Sequence, residues 1–245
     1  MRELLFGYAV IGYLAAMATL TFLILWVYPW AFMPLTVDQA YIKLDADPWL
    51  VDTLLLLLFG IQHSLMARPF VQERLFAGRS ETFKAATYTL ASALALLILY
   101  LFWQPITTML WEFQDGIGYW LPTLLYILGW LFAFVATFMI DHFALFGLHQ
   151  GYRRLRNIPE PEPHFQTRGF YRYMRHPIQA GTLLGLWATP LMSAGHLLLS
   201  IGMTLYVLIG LYLEEKNLVR TFGDTYRRYQ REVPMLLPEG GGSVF

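Results

Sequence analysis

Arg175-His176-Pro177-Ile178-Gln179-Ala180-Gly181 opens an apolar segment that runs to Leu213 and stops at Glu214-Glu215. Ser193-Ala194-Gly195-His196 interrupts it near the middle, so residues 178–194 and 197–213 read as two membrane-crossing helices folded into a hairpin. Each arm is close to the lower length limit, since a span needs about 20 residues. The His-Pro at one end and the Glu-Glu at the other are then expected at one membrane face. Ionisable groups where apolar helices end are costly to desolvate and point to a functional role. Beyond the carboxylates follow Phe222-Gly223-Asp224-Thr225-Tyr226-Arg227-Arg228-Tyr229 and Val233-Pro234.

The rest of the chain has the same apolar character. Of its 245 residues, 57% are hydrophobic and 14% charged, whereas a soluble domain carries about 25% charge. Apolar runs at 4–28, 50–66, 83–103 and 119–140 are each long enough to cross. The first of them exceeds a signal-peptide core and lacks a small-residue cleavage site, so it reads as a retained helix. The expected fold is all-α, a polytopic membrane helix bundle of about six transmembrane helices. It reads as one integral-membrane domain over 1–238. Spans one to four occupy 1–142, a cytoplasmic loop 143–176, the helical hairpin 177–213 and a cytoplasmic segment 214–238, with a flexible tail at 239–245.

Basic residues set the orientation. Lys43 is the single Lys or Arg in the loop 31–49, and the loop 104–118 holds none. All the others fall on the opposite side, which therefore reads as cytoplasmic, with both termini there and a bacterial inner membrane as the location. Trp26, Trp30, Trp49, Trp103, Trp111 and Trp120 cluster at the outer ends, as an interfacial belt does. The absence of cysteine excludes disulfides, thiolate metal sites and a Cys nucleophile. No nucleic-acid patch is present, and the lipid bilayer is the expected partner.

Several polar groups interrupt this pattern, each with a structural and a functional reading. Gln62-His63-Ser64 near the inner end of span two either bonds between helices or lines an active cavity. Asp141-His142 closes span four, as an interfacial helix end or as a polar cavity wall. If that helix continues, His142, Phe146 and His149 share a face. The loop 151–172 carries Pro159, Pro161 and Pro163, so it cannot be one helix, and it is long enough to lid a site. Glu214 and Glu215 are boundary residues, ion-pair partners of Lys216 and Arg220, or ligand contacts. Tyr226 to Tyr229 form an amphipathic strip suited to anionic lipid or to a ligand.

Taken in order, Arg-His-Pro-x-x-x-Gly, the hairpin, Glu-Glu-x-x-Leu, Phe-Gly-x-x-Tyr-x-x-Tyr and Val-Pro closely resemble the isoprenylcysteine carboxyl methyltransferase and phospholipid methyltransferase family. The resemblance implies an integral-membrane enzyme that uses S-adenosylmethionine, bound at the inner face between hairpin and C-terminal helix, with S-adenosylhomocysteine as product. His176 and Glu214 map onto that family's cofactor contacts. Gln179 stands where the family commonly has Tyr and takes no role. Gln62-His63-Ser64, Asp141-His142-Phe143, Trp187-Ala188-Thr189-Pro190 and Tyr226-Arg227-Arg228-Tyr229 also resemble the bacterial methanethiol S-methyltransferases, over roughly residues 50 to 238. That implies methylation of a small thiol.

The residue chemistry agrees with such a ligand. S-adenosylmethionine needs carboxylates for its hydroxyls or amine, donors for its carboxylate, and aromatic cover for base and cation. Arg175, His176, Pro177, Glu214, Glu215, Tyr226 and Tyr229 are the candidate cofactor-binding set. No Gly-rich fingerprint follows a strand, which excludes a soluble dinucleotide-type methyltransferase fold. Only a thiolate attacks efficiently, so a base is needed: His142, oriented or polarised by Asp141, with His176 as the second candidate. His63, Phe143, Phe146 and Trp187 are the candidate substrate pocket. No metal is required. Competing expectations are methylation of a lipid amine or prenylcysteine carboxylate, NADPH-dependent reduction, or a non-enzymatic membrane accessory role.

Overall fold

A computed structural model describes residues 1–162, 165 and 167–237. Pro163, Pro238 and the tail at 239–245 lie outside the described residues. The elements in chain order are α1 (Arg2–Trp26), α2 (Pro48–Met66), α3 (Pro69–Leu75), α4 (Glu81–Phe102), β1 (Met109–Glu112), α5 (Gly116–Ile140), α6 (His142–Leu145) and α7 (Leu148–Arg156). A 3-10 helix at Gly169–Arg172 follows, then α8 (Pro177–Trp187), β2 (Leu191–Ser193), α9 (Ala194–Phe222) and α10 (Asp224–Glu232). Among the described residues, five helices, α1, α2, α4, α5 and α9, are long and apolar enough to cross a membrane. The chain is thus an all-α polytopic membrane protein. Local signals start the helices: Asp47 Oδ1 accepts from Leu50 N at 3.0 Å with Pro48 next in line, and Ser80 Oγ accepts from Phe83 N at 3.3 Å.

The hairpin departs from expectation at both arms. The first arm is not a full span: α8 has 11 residues, about 16 Å of helix against a hydrocarbon core of about 30 Å. Pro190 is the cause. It offers no amide and disfavours helical backbone at Thr189, so the chain turns extended after Trp187. It then forms β2, which pairs with β1 in a two-stranded sheet that apolar periodicity did not reveal. The second arm overshoots. α9 has 29 residues and continues past Leu213 through both glutamates to Phe222.

Span four does not continue beyond Ile140. α5 stops at Ile140, α6 is a single turn, and Gly147 adopts the left-handed conformation at φ 80° before α7. His142, Phe146 and His149 therefore do not form one helical stripe. The loop read as 143–176 instead contains α6, α7 and the 3-10 helix.

The chain divides into two compact units. The first comprises residues 1–111, 143–161 and 191–202. Within it α1 packs along α4 and α7, and α2 packs on α4. Buried Trp26 and Trp103 meet edge to face at 5.6 Å, and Tyr100 donates to Thr19 O at 3.0 Å.

The second unit comprises 112–142, 162–190 and 203–245. Its centre is the contact of α5 with α8, where small residues let two backbones touch. A Cβ added to Gly181 would sit 2.5 Å from Gly129 O and 2.7 Å from Ala133 N. Those are backbone atoms that cannot swing away. Gly181→Ala is therefore expected to destabilise the protein by about 1–3 kcal/mol. At Gly210 an added Cβ meets nothing within 4 Å, so Gly210→Ala should be neutral or stabilising by up to about 1 kcal/mol. Thermal midpoints in one detergent compare the two, and equal midpoints would contradict the close approach.

Candidate functional site

Glu215 is the hub of the second unit's polar site. It is buried on α9, and its Oε1 accepts from Arg175 Nε at 2.6 Å, His176 Nε2 at 3.1 Å and Tyr226 Oη at 3.4 Å. Its Oε2 accepts from Gln230 Nε2 at 2.9 Å. Arg175 also donates to the carbonyls of Gln230 and Val233, which tie it to the end of α10. Arg175 N and His176 N donate to Pro234 O and Met235 O at 2.9 and 3.1 Å, so the His-Pro entrance and the Val-Pro exit pair as extended chain. Pro177, buried at the first position of α8, loses nothing by lacking an amide there.

Aromatic side chains flank this network. Tyr226, Tyr229 and Val233 form a buried cluster against Phe165, Leu218, Val219 and Phe222. Phe165 comes from the loop considered as a lid. Burial pushes the Tyr226 and Tyr229 phenols up, the Glu215 charge pushes the same way, and Arg175 opposes it. Both therefore remain protonated donors. Tyr229 Oη donates to Tyr171 O at 2.5 Å, while the next residue back, Phe170, stacks on Phe132 and donates its amide to Met139 Sδ at 3.2 Å. The 3-10 helix thus joins the carboxylate network to the C-terminal end of α5.

Of the two glutamates, the sequence pointed to the first as the partner of His176. The structure places Glu215 there. Adjacent helical residues differ by about 100° in direction, so only one of them faces the histidine. Glu214 is exposed, though near enough to raise the Tyr171 phenol further after the larger effect of burial. Beside Glu215 opens a cleft of about 450 Å³ lined also by Tyr212, Lys216, Val219, Arg220 and Gln230. Lys216 Nζ sits 4.2 Å from the centre of the Tyr212 ring.

His142, in the same unit, is buried. Thr137 Oγ1 donates its one proton to Phe134 O at 2.6 Å, so toward His142 Nδ1, at 2.8 Å, it accepts. Nδ1 then carries hydrogen and Nε2 the lone pair of the neutral ring. The ring lies parallel to Phe138 at 4.3 Å and 2°. Burial lowers its pKa, and the Asp141 charge opposes this in part. Thr137 thus holds Nδ1, and the Asp141 charge acts on the same ring.

A family model described as NnrU protein matches residues 52–241. The chain belongs to the NnrU family. Among its relatives, methanethiol S-methyltransferase 2 of Bradyrhizobium diazoefficiens is 46% identical over 77% of this chain and 73% of that protein. The methanethiol S-methyltransferase of Pseudomonas deceptionensis is 43% identical over 77% and 72%. That of Mycobacterium tuberculosis is 41% identical over 84% of both chains. No solved structure matches. The NnrU match begins inside α2 and takes in every candidate site residue from His63 to Tyr229, leaving α1 outside it.

The remaining candidates of this NnrU chain are scattered. His63 bonds between helices, to Tyr88 and Ser92 of α4, and shares a cavity of the first unit with Phe146. Phe143 is 40% exposed and packs on Tyr13 and His149. Trp187, 39% exposed, donates to Thr204 Oγ1 at 3.0 Å. Phe143 does not line the cavity of His63 and Phe146. Sequence reasoning assigned no site role to Tyr212, Lys216, Val219, Arg220 or Gln230. The signal was present for four of them: 212, 215, 216, 219 and 220 follow helical spacing on one face, once α9 is known to continue past Leu213.

Proposed function

We propose that this protein methylates methanethiol to dimethyl sulfide, taking the methyl group from S-adenosylmethionine at the cytoplasmic face of a bacterial inner membrane. One observation carries the reading: in a chain whose relatives are named methanethiol S-methyltransferases, a buried Arg175–Glu215–His176 clamp borders a cleft containing two cations. The donor set suits S-adenosylmethionine. Lys216 and Arg220 offer charge-assisted hydrogen bonds to a carboxylate. Glu215 and Gln230 offer an acceptor and an amide to an amine or ribose hydroxyls. Tyr212 offers an aromatic face. When bound, the cofactor supplies an electrophilic methyl group on a sulfonium.

The chain's own residues supply the nucleophile. A thiol is a weak nucleophile and its thiolate a strong one. His142 is the candidate base: its Nε2 takes the S–H proton while Thr137 holds Nδ1. Burial keeps the imidazole neutral, and therefore basic, at physiological pH. Arg175 does not serve the cofactor directly. It locks Glu215 and the end of α10 into one rigid wall.

Headspace gas chromatography tests the activity on membranes containing the protein and given methanethiol. Dimethyl sulfide should appear only when S-adenosylmethionine is added. Production no greater than in membranes lacking the protein would refute the reading. Orientation has its own test, because the native chain has no cysteine. Asn157 and Asp115 are both exposed and lie in connections of opposite basic content. An impermeant maleimide should label Asp115→Cys in intact cells and leave Asn157→Cys unlabelled until the membrane is opened. The reverse pattern would invert the topology.

A further inference from the structure

Residues 169–176 form a short strap within the second unit, and both of its ends are fixed. At one end Phe170 grips α5: its amide donates to Met139 Sδ at 3.2 Å and its ring stacks on Phe132 at 4.2 Å. Phe132 and Met139 stand at i and i+7, so they share one face of that helix. At the other end the side chains of Arg175 and His176 hold Glu215. Their amides donate to Pro234 O and Met235 O. Between the ends, Tyr171 O accepts from Tyr229 Oη, and Tyr173 N and Met174 N both donate to Phe170 O. A strap held this way has little slack. Displacing Glu215 moves the end of α5 or breaks one of these bonds.

A different face of the same helical turns holds His142. Phe134, Thr137 and Phe138 stand at i, i+3 and i+4, and all three touch the imidazole. The last turns of α5 are thus gripped by the strap on one face and hold the base on another. Gly169 shows how close the grip is. Its φ of 56° favours glycine, and a Cβ there would overlap the Met139 side chain. Met139 yields only by swinging its sulfur away from the Phe170 amide.

We propose that this strap is a positioning element for methyl transfer, in which Gly169, Phe170 and Met139 align the His142 base with a cofactor held against Glu215. The proposal rests on the reading of S-adenosylmethionine-dependent thiol methylation and deepens it. The three are positioning residues, acting through the helix end that holds His142. Alignment is the physical demand, because a misplacement of about 1 Å costs up to about a hundredfold in rate. The base is held by α5 and the cofactor cleft is built on α9 and α10. A covalent strap between them sets their separation by its own length. Occupancy of the cleft, which stiffens Glu215 and Gln230, then also stiffens the base.

The test joins histidine NMR to steady-state kinetics on the detergent-purified full chain. S-adenosylhomocysteine should shift the His142 ring signals of wild type, assigned by their absence in His142→Ala. Met139→Leu keeps the bulk but removes the sulfur acceptor, and Gly169→Ala displaces it. In both, calorimetry should still show S-adenosylhomocysteine binding, while the His142 shift shrinks and kcat falls about two- to thirtyfold with KM little changed. Gly78→Ala is the control: its φ is 73°, an added Cβ meets nothing within 4 Å, and kcat should stay at wild type. A merely structural strap would lower thermal midpoints without separating kcat from KM or altering the His142 response. Size exclusion identifies folded variants, and the wild-type titration needs none. A wild-type His142 spectrum that S-adenosylhomocysteine leaves unchanged overturns the positioning role. So does a wild-type kcat in folded Met139→Leu and Gly169→Ala, which leaves the methylation reading standing. A His142 shift that depends on Met139, without dimethyl sulfide formation, upholds the strap and removes the methylation reading.

Discussion

His142→Ala slows methyl transfer by about 10²- to 10⁴-fold, the usual contribution of a general base, while binding of S-adenosylhomocysteine stays close to wild type. The defect follows from thiolate supply. Without Nε2 as proton acceptor, only the small thiolate fraction in solution reacts, and that fraction grows with pH. The variant should therefore recover activity as the medium becomes alkaline. Wild type should differ at the acid end. Burial lowers the His142 pKa against the partial opposition of Asp141, so its acid limb lies below the ordinary imidazole value of about 6.5. Above that limb the base is neutral and the rate is flat; below it the base is protonated and the rate falls. Thr137→Val removes the acceptor for Nδ1–H and should give a smaller loss, because the ring still stacks on Phe138. Rates against pH on monodisperse protein decide the matter. A wild-type rate in His142→Ala at neutral pH would exclude this base and leave His176 as the next candidate.

Glu215→Ala and Glu214→Ala should differ sharply although the two residues are adjacent. The Arg175 and Glu215 side chains are only 9% and 11% exposed. Removing one member of a buried pair costs about 3–5 kcal/mol, because the remaining charge is left without its counterion. Arg175 keeps the carbonyls of Gln230 and Val233 as acceptors, which places the loss at the lower end. Glu215→Ala also removes a wall of the cleft, so cofactor affinity should fall about ten- to a hundredfold. Glu215→Gln keeps the shape and should be intermediate. Glu214 is exposed, and surface substitutions stay within about 0.5 kcal/mol. Thermal midpoints and calorimetry with S-adenosylhomocysteine make the comparison. Equal effects at the two positions would mean that Glu215 is not the hub.

The sequence by itself determined that this is a polytopic helical membrane protein. Long apolar runs leave the backbone no hydrogen-bond partners in lipid except its own, so length and composition suffice. The same logic made Arg175, His176, the Glu pair and Tyr226 to Tyr229 legible as one site, since charge at the ends of apolar helices is not placed idly. Helix phase and helix length were beyond that reasoning. Apolar content falls at Leu213, but α9 continues to Phe222, because backbone hydrogen bonding does not stop where hydrophobicity does. Only that continuation turns Glu215 inward, Glu214 outward, and Lys216 and Arg220 onto the cleft. The short α8 is half-visible in Pro190, yet the pairing of β2 with β1 is a contact between segments far apart in the chain. His142 shows the limit most clearly. Its neighbour Asp141 was the partner visible in the sequence; α5 ends between Ile140 and His142, and the turn that follows also brings the ring back onto Thr137, Phe134 and Phe138. Which neighbour holds a side chain depends on where a helix breaks, and tertiary packing decides that.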